Sequence, residues 1–137
     1  MLTDAEFLEG FRAATLDPSH FDHRGHVRAG WLYLTELPEQ PIEQIIERLS
    51  QDIRRYATSL GAASKFHRTI TEALMRLLAS HLPAERALGW QELIARHPII
   101  LQNARGLLLR YYSEDRLQDP QARDVFLLPD REPLPRA

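Results

Sequence analysis

The chain reads as an all-α protein, a compact single-domain bundle of about six helices. Apolar residues recur in steps of three and four along its long segments, the spacing that lines one face of a helix. No run alternates apolar and polar residues as a half-buried strand does. Prolines and a glycine at Pro18, Pro38, Pro41, Gly61, Pro83, Pro98 and Pro120 punctuate the helical segments. A length of 137 residues suits one core, and 44% hydrophobic content makes a folded chain the expectation.

The first helix opens at the capping box Thr3-x-x-Glu6, carries Phe7, Leu8 and Phe11, and ends near Thr15. Asp17-Pro18 breaks it, because the residue before proline avoids helical angles. A second helix runs from Phe21 or Asp22 to about Leu37 with a stripe of Val27, Gly30, Trp31 and Leu34. After a loop at 37–41, Pro41 fits the first turn of a third helix. Ile42, Ile45, Ile46, Leu49, Ile53, Tyr56 and Leu60 form its stripe, and Gly61 supplies the C′ stop.

Ser64 is the expected cap of a fourth helix bearing Phe66, Ile70, Ala73, Leu74, Leu77 and Leu78. A fifth is expected from about Ala84 to Arg96, closed by His97-Pro98, and a sixth from about Ile99 to Tyr112. Asp119-Pro120 opens a last short helix to Phe126, and residues 128–137 read as an irregular tail.

Composition removes several classes of function. The absence of cysteine excludes disulfides, cysteine-ligated zinc and iron–sulfur centres, and thiol nucleophiles. A net charge of −2 argues against a nucleic-acid binder, which needs a basic face. No apolar stretch approaches the roughly 20 residues that cross a bilayer. The opening Met1-Leu2-Thr3-Asp4-Ala5-Glu6 is acidic, with no apolar run behind it, so no secretory signal is expected and the cytoplasm is the expected location. His-Glu-x-x-His, Gly-rich phosphate loops and Gly-x-Ser-x-Gly are absent, and no Glu precedes a His by three residues.

Histidine is the remaining chemistry. In His20-x-x-His23-x-x-His26, residues three apart share a helical face, and His23 and His26 extend the stripe of Val27, Gly30 and Leu34. Both rings are therefore expected to point inward. His67, one turn into the expected fourth helix, lines up with Ile70, Thr71, Leu74 and Leu78. If the two helix starts adjoin, His23, His26 and His67 offer three imidazoles to one divalent ion, zinc, copper or iron, with an open position. Without a metal, one of them could serve as a general base near neutral pH.

Lys65 is the sole lysine among 17 basic residues and sits beside His67, where it suits an anionic group. Thr71 could line the same pocket, and Arg110 adds a second cation for substrate. Each has a plainer role: an exposed lysine, a hydroxyl bonded within its own helix, and an arginine matched to a helix C-terminus. His81 and His97 weigh toward structure, Tyr111 and Tyr112 toward buried rings with wet hydroxyls, and Arg24 and Arg28 toward a solvated face.

The segments Phe21-Asp22-His23-Arg24-Gly25-His26-Val27-Arg28, Lys65-Phe66-His67-Arg68-Thr69-Ile70-Thr71, Leu109-Arg110-Tyr111-Tyr112-Ser113 and Phe126-Leu127-Leu128-Pro129-Asp130 resemble a family of short, uncharacterised bacterial all-helical proteins. The likeness spans most of the chain. It implies a helical fold and marks the same three histidines and Lys65, but implies no particular reaction. Where the family pattern reads Lys-Tyr-His-Glu-Thr, this chain has Arg68 at the acidic position. The expectation is metal-dependent or histidine-based chemistry on a small molecule, by a monomer or homo-oligomer without nucleic-acid or membrane partners. The alternative is a non-catalytic helical module for protein interaction or self-association.

Overall fold

The computed structural model describes residues 2–37 and 39–136. Pro38, in the loop expected at 37–41, and the terminal Met1 and Ala137 lie outside the described residues. The described residues are 66% helical and contain no strand, which establishes the all-α class. The chain divides into two compact units, Met1–Phe66 and His67–Ala137, each described below by itself.

The first unit holds α1 (Asp4–Arg12), α2 (His23–Glu36) and α3 (Ile42–Ser59), with 3₁₀ turns at Pro18–His20 and Ala63–Lys65. Both halves of the capping box form: Thr3 Oγ1 accepts from Glu6 N–H and Glu6 Oε1 from Thr3 N–H. Pro41 stands one place before the expected first turn, as the N-cap of α3. At the other end Gly61 has φ +70°, the left-handed region glycine enters without a Cβ clash. Its N–H reaches Thr58 O and that of Ala62 reaches Ala57 O, closing a Schellman motif. Ile45, Ile46, Leu49, Ile53 and Tyr56 are buried as their spacing predicts, whereas Leu60 is 46% exposed.

The core of this unit is aromatic. Phe21 stacks on Phe11 at 4.7 Å and meets Tyr56 edge-on at 5.1 Å, arrangements the ring quadrupoles favour. Tyr56 OH donates to Leu16 O at 2.6 Å. Tyr33 OH donates to the buried Asp52 carboxylate at 2.6 Å, and burial together with that bond pushes the phenol up to about 12. Arg55 completes Asp52 at 2.8 Å. Buried polar groups in this unit are thus matched in pairs, apart from Ser50 Oγ, which has no partner. Arg28 corrects the expected solvated face: it is 7% exposed, lies over the Phe7 ring, and donates to Asp4 at 2.8 Å and Leu2 O at 2.8 Å. Spacing could not show that α1 would present an acid to it.

The second unit carries α4 (Arg68–Ala79), α5 (Leu82–Glu85), α6 (Trp90–Arg96), α7 (Ile99–Gln102), α8 (Ala104–Leu109), α9 (Glu114–Gln118) and α10 (Gln121–Asp124). The expected long fifth and sixth helices are each split. Gly89 breaks the fifth with extended angles, φ −67° and ψ 162°, at the residue of lowest helix propensity after proline. Asn103 breaks the sixth, its Oδ1 accepting from Gly106 N–H at 3.0 Å as a new N-cap. Ser113 starts α9 in the same way, accepting from Arg116 N–H at 3.1 Å. Ala73, Leu77, Leu108, Tyr111, Tyr112 and Leu117 form the core, with Phe126 and Leu134 packed against it.

The tail of this unit is irregular but tied down. Thr69, fully buried, donates to Val125 O at 2.9 Å and accepts from Leu127 N–H at 3.1 Å. Tyr112 OH donates to Leu127 O at 2.7 Å, so its hydroxyl is bonded to backbone rather than wet as expected. Asp130 accepts from Ser113 N–H at 2.7 Å and from its hydroxyl at 2.6 Å. Glu72, 5% exposed, is clamped between Arg68 and Arg76 at 3.0 Å each. Three of the motifs behind the family resemblance thereby meet as a fastening for the chain end.

Candidate metal centre

The residues expected to form a site have mostly local partners. His23 is the first residue of α2 and His26 lies one turn on; both are exposed, not inward. The inward positions of this helix begin at Gly25 and Val27, because Phe21 packs beneath its first turn. His26 Nδ1 lies 2.8 Å from Asp22 O, and its ring leans on Phe21 at 4.2 Å. His67 is not one turn inside a helix but is the N-cap of α4, with extended angles. Its Nδ1 accepts from Ile70 N–H at 3.1 Å, which leaves the proton on Nε2 to donate to Leu117 O at 3.0 Å. Both ring nitrogens are used within the second unit, and an ion at His67 would have to displace one of these bonds.

The proposed substrate groups are spread out in the same way. Lys65 closes the exposed 3₁₀ turn of the first unit. Thr71 lies half-buried in the first turn of α4. Arg110 follows α8, exposed, with Nε donating to Glu132 at 3.0 Å.

A different cluster has metal-ligand geometry. Among the described residues, His81, Glu85 and His97 form the group of His, Asp or Glu whose ligand atoms lie mutually within 4.8 Å. His81 is the N-cap of α5 and Glu85 its last residue, so a spacing of four puts both on one face. His97 caps the far end of α6, where Pro98 halts the helix. Glu85 Oε1 accepts from His81 Nδ1 at 3.0 Å and from His97 Nε2 at 2.8 Å. The two rings lie 4.1 Å apart. Arg96 reaches the other oxygen, Oε2, at 3.7 Å.

The electrostatics suit a cation. Burial first, then the neighbouring His97, holds His81 below its usual value, so the ring is neutral at neutral pH, the form that ligates metals. The hydrogen bond from His97, with a smaller one from His81, holds Glu85 below the usual carboxylate range. The distances also fit. Tetrahedral zinc with bonds of about 2.1 Å separates its ligands by about 3.4 Å. The pairs at 3.0 and 2.8 Å would open by only about 0.4–0.6 Å to admit it.

The sequence alone does not mark this trio. The spacing of His81 and Glu85 was visible, but a lone His–Glu pair four apart is commonplace on helices. The approach of His97 depends on how α5 and α6 fold back after Gly89. No protein-family model, curated protein or solved structure matches the chain.

Proposed function

We propose that the second unit is a metal-binding unit. His81 Nδ1, Glu85 Oε1 and His97 Nε2 would hold one divalent transition-metal ion in place of the two hydrogen bonds to Glu85, each ring's proton moving to its other nitrogen, with remaining positions open to water or a small molecule. The observation that carries this reading is Glu85 Oε1 shared between two imidazoles at 3.0 and 2.8 Å. Two neutral histidines and one carboxylate suit zinc or iron(II), and such a set leaves open positions at which the ion can act as a Lewis acid. His23, His26 and His67 are the competing ligand set.

Titration of the untagged chain with zinc, cobalt and iron(II) separates the two. His81→Ala, Glu85→Gln and His97→Ala should each weaken binding by at least about 10–100-fold, the loss seen even for outer partners of metal ligands. His23→Ala, His26→Ala and His67→Ala should bind as the wild type does. Absence of saturable binding by the wild type would end the metal reading, and the opposite pattern of variants would move the ion to the other trio.

The reading as a non-catalytic module for self-association draws on one observation: Leu128, at 68%, and Ile99, at 48%, are exposed. Sedimentation that shows a monomer at every concentration would remove the self-association form of it. No helix among the described residues is long and apolar enough to cross a membrane.

A further inference from the structure

We infer that this metal centre takes a small anionic ligand, a carboxylate or a phosphate, and that Arg96 is the residue that positions it. The inference rests on the metal reading above.

A divalent ion held by two neutral imidazoles and one carboxylate keeps a formal charge of +1, and Arg96 adds another beside it. An anion on the open positions balances that excess.

Side-chain exposure rises across the cluster from 13% at Glu85, through 26% at His81 and 32% at His97, to 61% at Arg96. The guanidinium therefore stands on the solvent side, where a ligand would arrive. Its NH1 lies 3.7 Å from Glu85 Oε2, longer than the usual 2.7–3.2 Å of a hydrogen bond. The contact is thus a charge contact that leaves the donor fork able to turn to an incoming anion. Guanidinium matches carboxylate and phosphate by two parallel N–H donors.

Arg96 is the last residue of α6 and His97 its cap, so one helix end sets both the ligand and the cation beside it. Arg96 touches no reacting atom and acts by orienting what the metal holds.

The test uses the full chain loaded with cobalt(II), whose visible spectrum reports its coordination. Acetate and inorganic phosphate are titrated separately, so the two anion chemistries are read apart. Saturable spectral change with one or both is expected. Arg96→Gln should weaken that anion on the order of 10-fold, the scale of one charge-assisted hydrogen bond, without lowering cobalt affinity, since it removes a positive charge beside the ion. Arg96→Lys, which keeps the charge, should recover part of the loss. A spectrum unmoved by either anion, or an Arg96→Gln variant with wild-type anion affinity, would overturn the inference. So would loss of cobalt affinity in Arg96→Gln, which would make Arg96 a support for Glu85 alone. Failure of wild-type cobalt binding would sink the metal reading itself, and it is seen before any anion is added.

Discussion

Thr69→Val removes a hydroxyl and keeps the shape of the side chain. Thr69 is fully buried, and its one oxygen serves two backbone groups 56 and 58 residues away: it donates to Val125 O at 2.9 Å and accepts from Leu127 N–H at 3.1 Å. A hydrogen bond contributes about 0.5–1.5 kcal/mol net, so losing both should destabilise the second unit by about 1–3 kcal/mol. Thr69→Ser separates the hydrogen bonds from packing, since it keeps the hydroxyl and deletes one methyl. Urea titration followed by circular dichroism gives the stability, and amide exchange at Leu127 gives the local effect. The valine variant should lose protection at Leu127 while the serine variant keeps it. A valine variant as stable as the wild type, with Leu127 still protected, would show that the tail is held by Phe126 packing and not by Thr69.

Gly25→Ala should destabilise the first unit, although alanine is the better helix former by about 1 kcal/mol. Its Cβ would lie 2.2 Å from the His20 carbonyl oxygen, a backbone atom, so the Pro18–His20 turn must shift, at a cost of about 1–3 kcal/mol. A raised melting temperature would contradict this. The second unit should also lose stability in acid. His81, Glu85 and Asp130 all have folded-state values below their usual 6.5, 4.5 and 3.8; for Asp130 the cause is hydrogen bonding from Ser113. A lowered folded value means the unfolded chain takes up the proton first. The His81 contribution is therefore complete above pH 6.5 and falls away toward its lower folded value, with Glu85 and Asp130 following below 4.5 and 3.8. Urea midpoints measured from pH 7 to pH 3 check the slope, and Asp130→Asn should flatten its most acidic part. Stability that rises on acidification from pH 7 to pH 5 would refute the sign.

The all-α class, the capping box at Thr3 and Glu6, and the course of α3 from its stripe to Gly61 are legible in the sequence. These are short-range properties: a period of 3.6 residues and the φ of one glycine are written in neighbouring positions. The sequence also singles out Tyr112, Thr69 and the Pro129-Asp130 segment, without showing that they fasten one another. The breaks at Gly89 and Asn103 were legible in residue type, but an apolar stripe continuing on both sides masked them. His67 was legible as a residue and hidden as a cap, because imidazole rarely fills that role. Which histidines meet a carboxylate is set by how the helices fold on one another. His23 and His26 share a helix face, yet Phe21 takes the inward side beneath them. His81 and His97 stand 16 residues apart with a broken helical segment between them, and they converge because the turn at residues 86–89 brings the end of α6 back to Glu85. Periodicity reports the face of one helix, and a site made from the ends of two helices depends on angles set by the turn between them.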